Sequence, residues 1–209
     1  MSWIDIKERF TAIAALRDGD GAHSEGVAQA WRSFEEAATA DGEPPFHLLT
    51  LLEQIAAVRR DFPEVAAEDL AILDHGCGGG ITLLFLVANG YRSAKGVDVG
   101  GPLERWNDML MKIGAIDRPC FFLYDGRTLP LKDESVHLVY SQQVLEHVAP
   151  DVVDAYYAEE GRVLAPGGRA YHQVPHRYVP YESHSRTWLI HYLPRPAAQW
   201  LYRRLGRAS

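Results

Sequence analysis

The chain reads as an α/β protein built on a doubly wound, mainly parallel sheet with helices on both faces. Three observations predict it. From about residue 70, short apolar runs alternate with helical patterns, the texture of strand–helix–strand units. A glycine-rich turn, Asp74-His75-Gly76-Cys77-Gly78-Gly79-Gly80, lies directly between the first such run and a helical stretch. The longest strongly apolar run, Ile81 to Ala88, has eight residues, far below the roughly 20 needed to cross a bilayer.

The strands are expected at Ala71-Ile72-Leu73, Gly96-Val97-Asp98-Val99, Phe121-Phe122-Leu123-Tyr124, Val136-His137-Leu138-Val139-Tyr140 and Ala170-Tyr171-His172-Gln173-Val174. Between them, Ile81 to Ala88, Leu103 to Ile113 and Val152 to Val163 read as helices. Ahead of the sheet, residues 1–65 form an N-terminal helical cover, and residues 66–209 form the core with its C-terminal loop and helix. In the cover, Trp3, Ile6, Phe10, Ile13 and Leu16 recur at helical steps, and Asp18-Gly19-Asp20-Gly21 interrupts them. Ser24 is placed to cap a second helix carrying Val27, Trp31 and Phe34. Pro44 and Pro45 suit the first turn of a third, whose buried stripe is Phe46, Leu49, Leu52, Ile55 and Val58.

Composition limits the function classes. The chain has 209 residues, 47% apolar and 23% charged, as one globular domain should. A formal charge of -7 disfavours a general nucleic-acid binder, which needs clustered Lys and Arg. The charge is uneven: residues 183–209 hold five arginines (186, 195, 203, 204, 207) and no acid, leaving -12 for the rest. Cys77 and Cys120, 43 residues apart, suggest neither a zinc site nor a disulfide framework, so no metal is expected and a reduced cytoplasm is the simplest compartment. The first eight residues carry charges where a signal peptide needs an apolar stretch.

In an open parallel sheet, ligands bind beyond the carboxyl ends of the strands, so the motif residues should gather there. The glycines of the first turn permit positive φ and close approach of a ligand to the backbone. A dinucleotide fingerprint would need glycine at position 81, which is Ile; a phosphate-binding P-loop would need Gly-Lys-Ser/Thr, which is absent. Asp74, just before the first glycine, would repel a pyrophosphate and suits a cationic group. Asp98 follows Gly80 by 18 residues and ends the second strand, where a carboxylate can accept from both ribose hydroxyls. Asp125-Gly126 ends the third strand; the glycine leaves room for a flat ring, and the acid can accept from an exocyclic amine.

Five segments taken in order resemble the class I S-adenosylmethionine-dependent methyltransferases, in particular their type-11 group. They are Leu73 to Gly80, Gly96-Val97-Asp98, Asp125-Gly126 with Leu129-Pro130, Ser141 to Val148, and Arg162-Val163-Leu164-Ala165-Pro166-Gly167-Gly168. The resemblance runs from about Ile72 to Pro175 and implies a Rossmann-like methyltransferase fold with S-adenosylmethionine as cofactor. It places Gly76, Gly78 and Gly80 along the methionine part, Asp74 at its ammonium, Asp98 on the ribose, Asp125 and Gly126 beside the adenine, and Gln142 near the methionyl end. The implied reaction methylates a small-molecule acceptor, such as a sugar or lipid-linked precursor. His147, just past the fourth strand, is the candidate catalytic base; alternatively Glu146 and His147 fix a loop or cap a helix. His172 and His176 bracket Pro175 and could face the substrate or lie on the rim.

Two departures stand out. His137 occupies a fourth-strand position where relatives usually carry Asp. The family sheet usually has seven strands, yet the 35 residues after Val174 do not alternate like a strand pair. Pro175 to Tyr192 reads as a loop at the substrate mouth, and 195–207 as a short amphipathic helix. Either the sheet is reduced to five strands or the chain is a truncated copy of a longer protein, and truncation is preferred. That leaves a rival function, a non-catalytic cofactor-binding or partner module. The arginines of the last helix are expected to face water rather than to give peripheral membrane contact.

Overall fold

The computed structural model describes residues 46–101, 103–112, 116–174, 181–182 and 187–206. The helices expected around Trp3 to Leu16 and after Ser24 lie outside them, as do Pro44, Pro45, His176, Arg186 and Arg207. The chain divides into two compact units, Met1–Gln173 and Val174–Ser209.

The first unit holds five strands, β1 (Ile72–His75), β2 (Lys95–Asp98), β3 (Phe121–Leu123), β4 (Val136–Gln142) and β5 (Leu164–Gln173). They pair all-parallel in the order β3-β2-β1-β4-β5. The order reverses between β1 and β4, so the loops leaving these strands part there and open a crevice. Among the described residues the unit also holds four α-helices: α1 (Phe46–Asp61), α2 (Ile81–Ala88), α3 (Leu103–Lys112) and α4 (Val153–Val163). Among the described residues, no helix is long and apolar enough to cross a membrane.

Burial explains each element. All four residues of β1 are buried, and Leu83 to Leu86 of α2 are wholly so, which is why both read as continuous apolar runs. Among the described side chains the buried stripe of α1 is Leu48, Leu51, Ile55 and Val58, which shares Ile55 and Val58 with the expected stripe of Phe46, Leu49, Leu52, Ile55 and Val58; the Phe46 side chain lies outside the described ones. Leu49 and Leu52 are only half-buried. Apolar residues cover so broad an arc of α1 that periodicity alone cannot choose the face; packing against β4 and β5 does. Buried Asn107 of α3 ties that helix to the edge strand. Its Nδ2 donates to Phe121 O (2.8 Å), and its Oδ1 accepts from the amides of Cys120 and Phe121 (2.9 Å each).

Strand β5 begins earlier than expected because Leu164 already pairs with Val136 before a bulge interrupts the ladder. The next pair in register is Leu138 with Arg169. Ala165-Pro166-Gly167-Gly168 forms the bulge, where proline's missing amide costs nothing. A Cβ on Gly168 would stand 2.9 Å from Ala165 O and 3.0 Å from Val136 O.

In the second unit, Tyr181–Glu182 (β6) and Thr187–Trp188 (β7) pair antiparallel within the stretch expected to be loop. Two rungs are too short to leave an alternating pattern in the sequence. The expected amphipathic helix is α5, Arg195–Arg204, whose Ala198 and Tyr202 pack with Ile190 and Leu201. Arg195, Arg203 and Arg204 are exposed, and the Arg204 guanidinium lies 5.1 Å from the centroid of the Trp200 ring.

Replacing Gly168 by Ala should destabilise the first unit by about 1–3 kcal/mol, because backbone oxygens rather than a flexible side chain stand in the way. Urea unfolding checks this.

Candidate active site

A cavity of about 630 Å³ opens beyond the carboxyl ends of β1, β2, β3 and β4. Seven of the residues expected at the site line it: Gly76, Gly78, Asp98, Asp125, Gly126, Gln142 and His147. Two others, Asp74 and Gly80, are not among its lining residues.

The turn after β1 shapes the cavity through what its glycines leave out. A Cβ on Gly76 would stand 2.3 Å from a methyl of Val144, so glycine here lets the loop after β4 close against the loop after β1. Gly78 has φ +46 and nothing within 4 Å of a Cβ position, so its bare backbone meets open space. Gly80 was expected along the ligand, but it packs inward. A Cβ there would stand 2.8 Å from the Phe121 ring, and its positive φ starts α2.

Asp98 ends β2 and fastens the turn. Its Oδ2 accepts from Gly78 N (2.8 Å) and its Oδ1 from Gly100 N (3.1 Å). An ionised carboxylate has about four acceptor positions, so two remain for hydroxyls. Val99, exposed beside it, offers an apolar surface. At the end of β3, Asp125 Oδ1 accepts from the amides of Thr128 (2.7 Å) and Arg127 (2.8 Å), bonds that hold the carboxyl below its ordinary value. Gly126 faces Val99, with its Cβ position 3.3 Å from a Val99 methyl.

After β4, Gln142 Nε2 donates to Gln173 Oε1 (2.8 Å). Gln143 takes φ +52, an uncommon left-handed conformation for a non-glycine residue, and its amide donates to Gln173 O (2.7 Å). His147 sits exposed in a short 3-10 turn, Leu145–His147, whose last amide donates to Val144 O (2.8 Å).

Asp74 lies within β1, 4% exposed, and its Oδ2 has no hydrogen-bond partner among the described residues. Burial, aided by the nearby Asp98 charge, pushes its carboxyl up to about 7. An uncompensated buried acid beside the carboxylate of Asp98 makes this end of the sheet a place for a cation. Cys77 in the same turn is buried, and burial with the charges of Asp74 and Asp98 pushes its thiol well up, so it is no nucleophile.

The family profile described as "Methyltransferase domain", of the type-11 group, matches residues 73–172. The chain carries a class I methyltransferase domain of that group. Solved structures with similarity to the chain include the YcgJ protein of Bacillus subtilis, at 23% identity over 57% of this chain and 48% of that one, TM-score 0.43. A second is a SAM-dependent methyltransferase of Aquifex aeolicus, at 15% identity over 71% and 78%, TM-score 0.46. A third is the geranyl diphosphate C-methyltransferase of Streptomyces coelicolor A3(2), at 16% over 66% and 53%, TM-score 0.45. The chain spans about half the length of the first and third of these. No curated protein matches the chain closely enough to count as a relative.

The cofactor of such a domain is S-adenosylmethionine, and the residues present fit it. The methyltransferase domain offers an orphaned buried carboxylate oxygen at Asp74 for a cation, free acceptor positions on Asp98 for a ribose, and open backbone at Gly78. Gly126 and the exposed Val99 lie against each other on the cavity wall and give an apolar surface on which a flat ring can rest.

Sequence reasoning missed a buried polar cluster at the wall of this domain's cavity. Glu160 of α4, 2% exposed, accepts from His75 Nδ1 (2.7 Å) and from His172 Nε2 (2.9 Å). His75 Nε2 lies 2.9 Å from the Tyr124 hydroxyl, and its ring stacks on Tyr156 at 4.0 Å. Tyr156 in turn meets the Ser141 hydroxyl at 2.9 Å. Tyr124 and Tyr156 both line the cavity, so the cluster sets the position of that wall. Burial pushes the Glu160 carboxyl up, but the bonds from His172 and His75 outweigh it and hold it below its ordinary value. Burial, with Asp98, Glu160 and Asp125 nearby, raises the Tyr124 phenol to about 12, so it stays protonated. A histidine directly before the glycines was the one visible signal. His172, read as substrate-facing or rim, belongs to this cluster.

Replacing Glu160 by Ala strands the buried imidazole of His75 and the partly buried one of His172, and should cost about 3–5 kcal/mol of stability, read by urea unfolding. The stabilisation that Glu160 gives is present above its unfolded pKa and is lost as pH falls through its depressed folded value, so the difference between variant and wild type should shrink in acid.

Proposed function

We propose that this chain is an S-adenosylmethionine-dependent methyltransferase acting on a small-molecule acceptor. The observation that carries the reading is the pairing of Asp98, with acceptor positions to spare, and the unpartnered buried carboxyl of Asp74 around an open glycine turn. Asp98 would take the ribose hydroxyls and Asp74 the ammonium of the methionine part. Asp125 and Gly126 would flank the adenine, and Gln142 would stand near the methionyl end. Gly76, through the loop it admits, would help close the pocket.

When bound, the cofactor supplies a methyl group on a positively charged sulfur. The chain's own work is then to align an acceptor in line with that carbon, worth up to about 7–11 kcal/mol where geometry is ideal. An oxygen or nitrogen acceptor also needs a proton removed, a contribution of roughly 100- to 10,000-fold. His147 is our choice for that base, since it lines the cavity from a turn rather than from the rigid sheet. A sugar or lipid-linked precursor is the acceptor class we favour, and a cytoplasmic location accords with that chemistry.

Calorimetric titration with S-adenosylhomocysteine tests the cofactor site. Wild type should bind in the micromolar range, and Asp98→Ala should weaken binding severely; a folded wild type that does not bind refutes the reading. Binding without methyl transfer to any of a broad set of acceptors would instead favour a cofactor-binding module.

Asp74 gives the site a pH signature. In the free chain its folded pKa lies above the ordinary value of 3.8, so the folded state keeps a proton that the unfolded state has released. Its contribution to stability therefore falls as pH rises from about 4 to about 7. A cationic ligand group reverses the preference and favours the ionised acid. Affinity for S-adenosylhomocysteine should then strengthen by about tenfold from pH 6 to pH 8, and Asp74→Asn should flatten that profile.

A further inference from the structure

The amino ends of the same strands carry a second cavity, of about 670 Å³. Lys95 opens β2, whose other end is Asp98, and His137 is the second residue of β4, whose other end is Gln142. The two cavities are thus separated by the length of the strands, about 10 Å for the four residues of β2. Ligand sites of open α/β sheets are expected at the carboxyl ends, so nothing in the fold's usual use accounts for this one.

Its wall presents side-chain hydrogen-bond donors without partners among the described residues. The Lys95 side chain is half-buried and forms no hydrogen bond or ion pair with any described residue. Burial holds its ammonium below the ordinary value, and Arg118 and Lys132 add to this; no carboxylate offsets them at Lys95. The Arg92 side chain, also on the wall and exposed, has no partner among the described residues. His137 Nδ1 accepts from the Ala71 amide (2.9 Å), which places the proton of the neutral ring on Nε2 and makes that atom a donor. The ring is held edge-on to Phe62, with centroids 4.7 Å apart. The carboxylates on the wall are Asp69 and Asp117, both exposed, and Asp117 faces Arg118 at 4.0 Å.

Of the wall's cations Lys95 is half-buried while Arg92 and Arg118 are exposed, so the cost falls on the Lys95 ammonium, and a bound anion is what relieves it. A carboxylate offers two oxygens and one charge. A phosphomonoester offers three oxygens and about two charges, a better match for two cations and an imidazole N–H. The cavity's volume falls within the range of small-molecule sites. We propose that this cavity is a second ligand site, taking a phosphate-bearing small molecule held by Lys95, Arg92 and the Nε2–H of His137. It stands independently of the cofactor reading, because it shares no residue with the cavity at the other end of the sheet.

The probes are inorganic phosphate and acetate at matched ionic strength, titrated into the full chain by calorimetry. Phosphate should bind and acetate should not. Lys95→Gln should weaken phosphate binding about tenfold or more, the usual loss for a charge-assisted hydrogen bond, and Arg92→Gln should weaken it in the same direction. Neither side chain has a partner to lose among the described residues, so both variants should fold, which circular dichroism verifies. Equal binding of phosphate and acetate, no phosphate binding by the folded wild type, or binding indifferent to both substitutions would overturn the proposal.

Discussion

The structure turns on two ionisable residues placed side by side in its most buried strand. Asp74 and His75 close β1, and successive strand residues face opposite sides of a sheet. The consequences differ on the two faces. His75 finds Glu160, Tyr124 and Tyr156, and its burial is met by a complete set of bonds. Asp74 finds no donor for Oδ2 among the described residues, and the nearby charge of Asp98 makes matters worse. A fold that keeps such a residue in its core holds an unmet demand for positive charge. The glycine turn follows directly, and the carboxylate of Asp98 lies close enough to raise that demand.

The acid-rich cavity has a counterpart. Asp98 and Asp125 line the cavity at the carboxyl ends with one cation, Arg127, whereas Lys95, Arg92 and Arg118 outnumber Asp69 and Asp117 at the amino ends. Neither bias is visible in the net charge of -7, which averages over both ends and the Arg-rich C-terminus. The short strands make the separation possible, since four residues of β2 span the whole distance from Lys95 to Asp98.

Much of this was legible in the residues. Strand–helix alternation predicted the parallel sheet, because a strand buried on both faces and a helix that follows it leave distinct apolar patterns. The glycine turn and Asp98 were legible because they are local. What escaped notice was non-local. Glu160 stands 85 residues from His75, and no spacing rule joins a helix acid to a strand-end histidine across three intervening strands. The face of α1 escaped because its apolar arc is broad, and the early start of β5 because a bulge hides its first pair. Gly80 was read as ligand-facing from its place in the motif, whereas the Phe121 ring decides its role.

A crystal structure of the chain grown with S-adenosylhomocysteine tests the central claim most directly. The account predicts the ligand beyond the carboxyl ends of β1 to β4, with its ribose hydroxyls on Asp98 and its ammonium satisfying Asp74. A ligand bound elsewhere, or one in this cavity that leaves both carboxylates untouched, would contradict it.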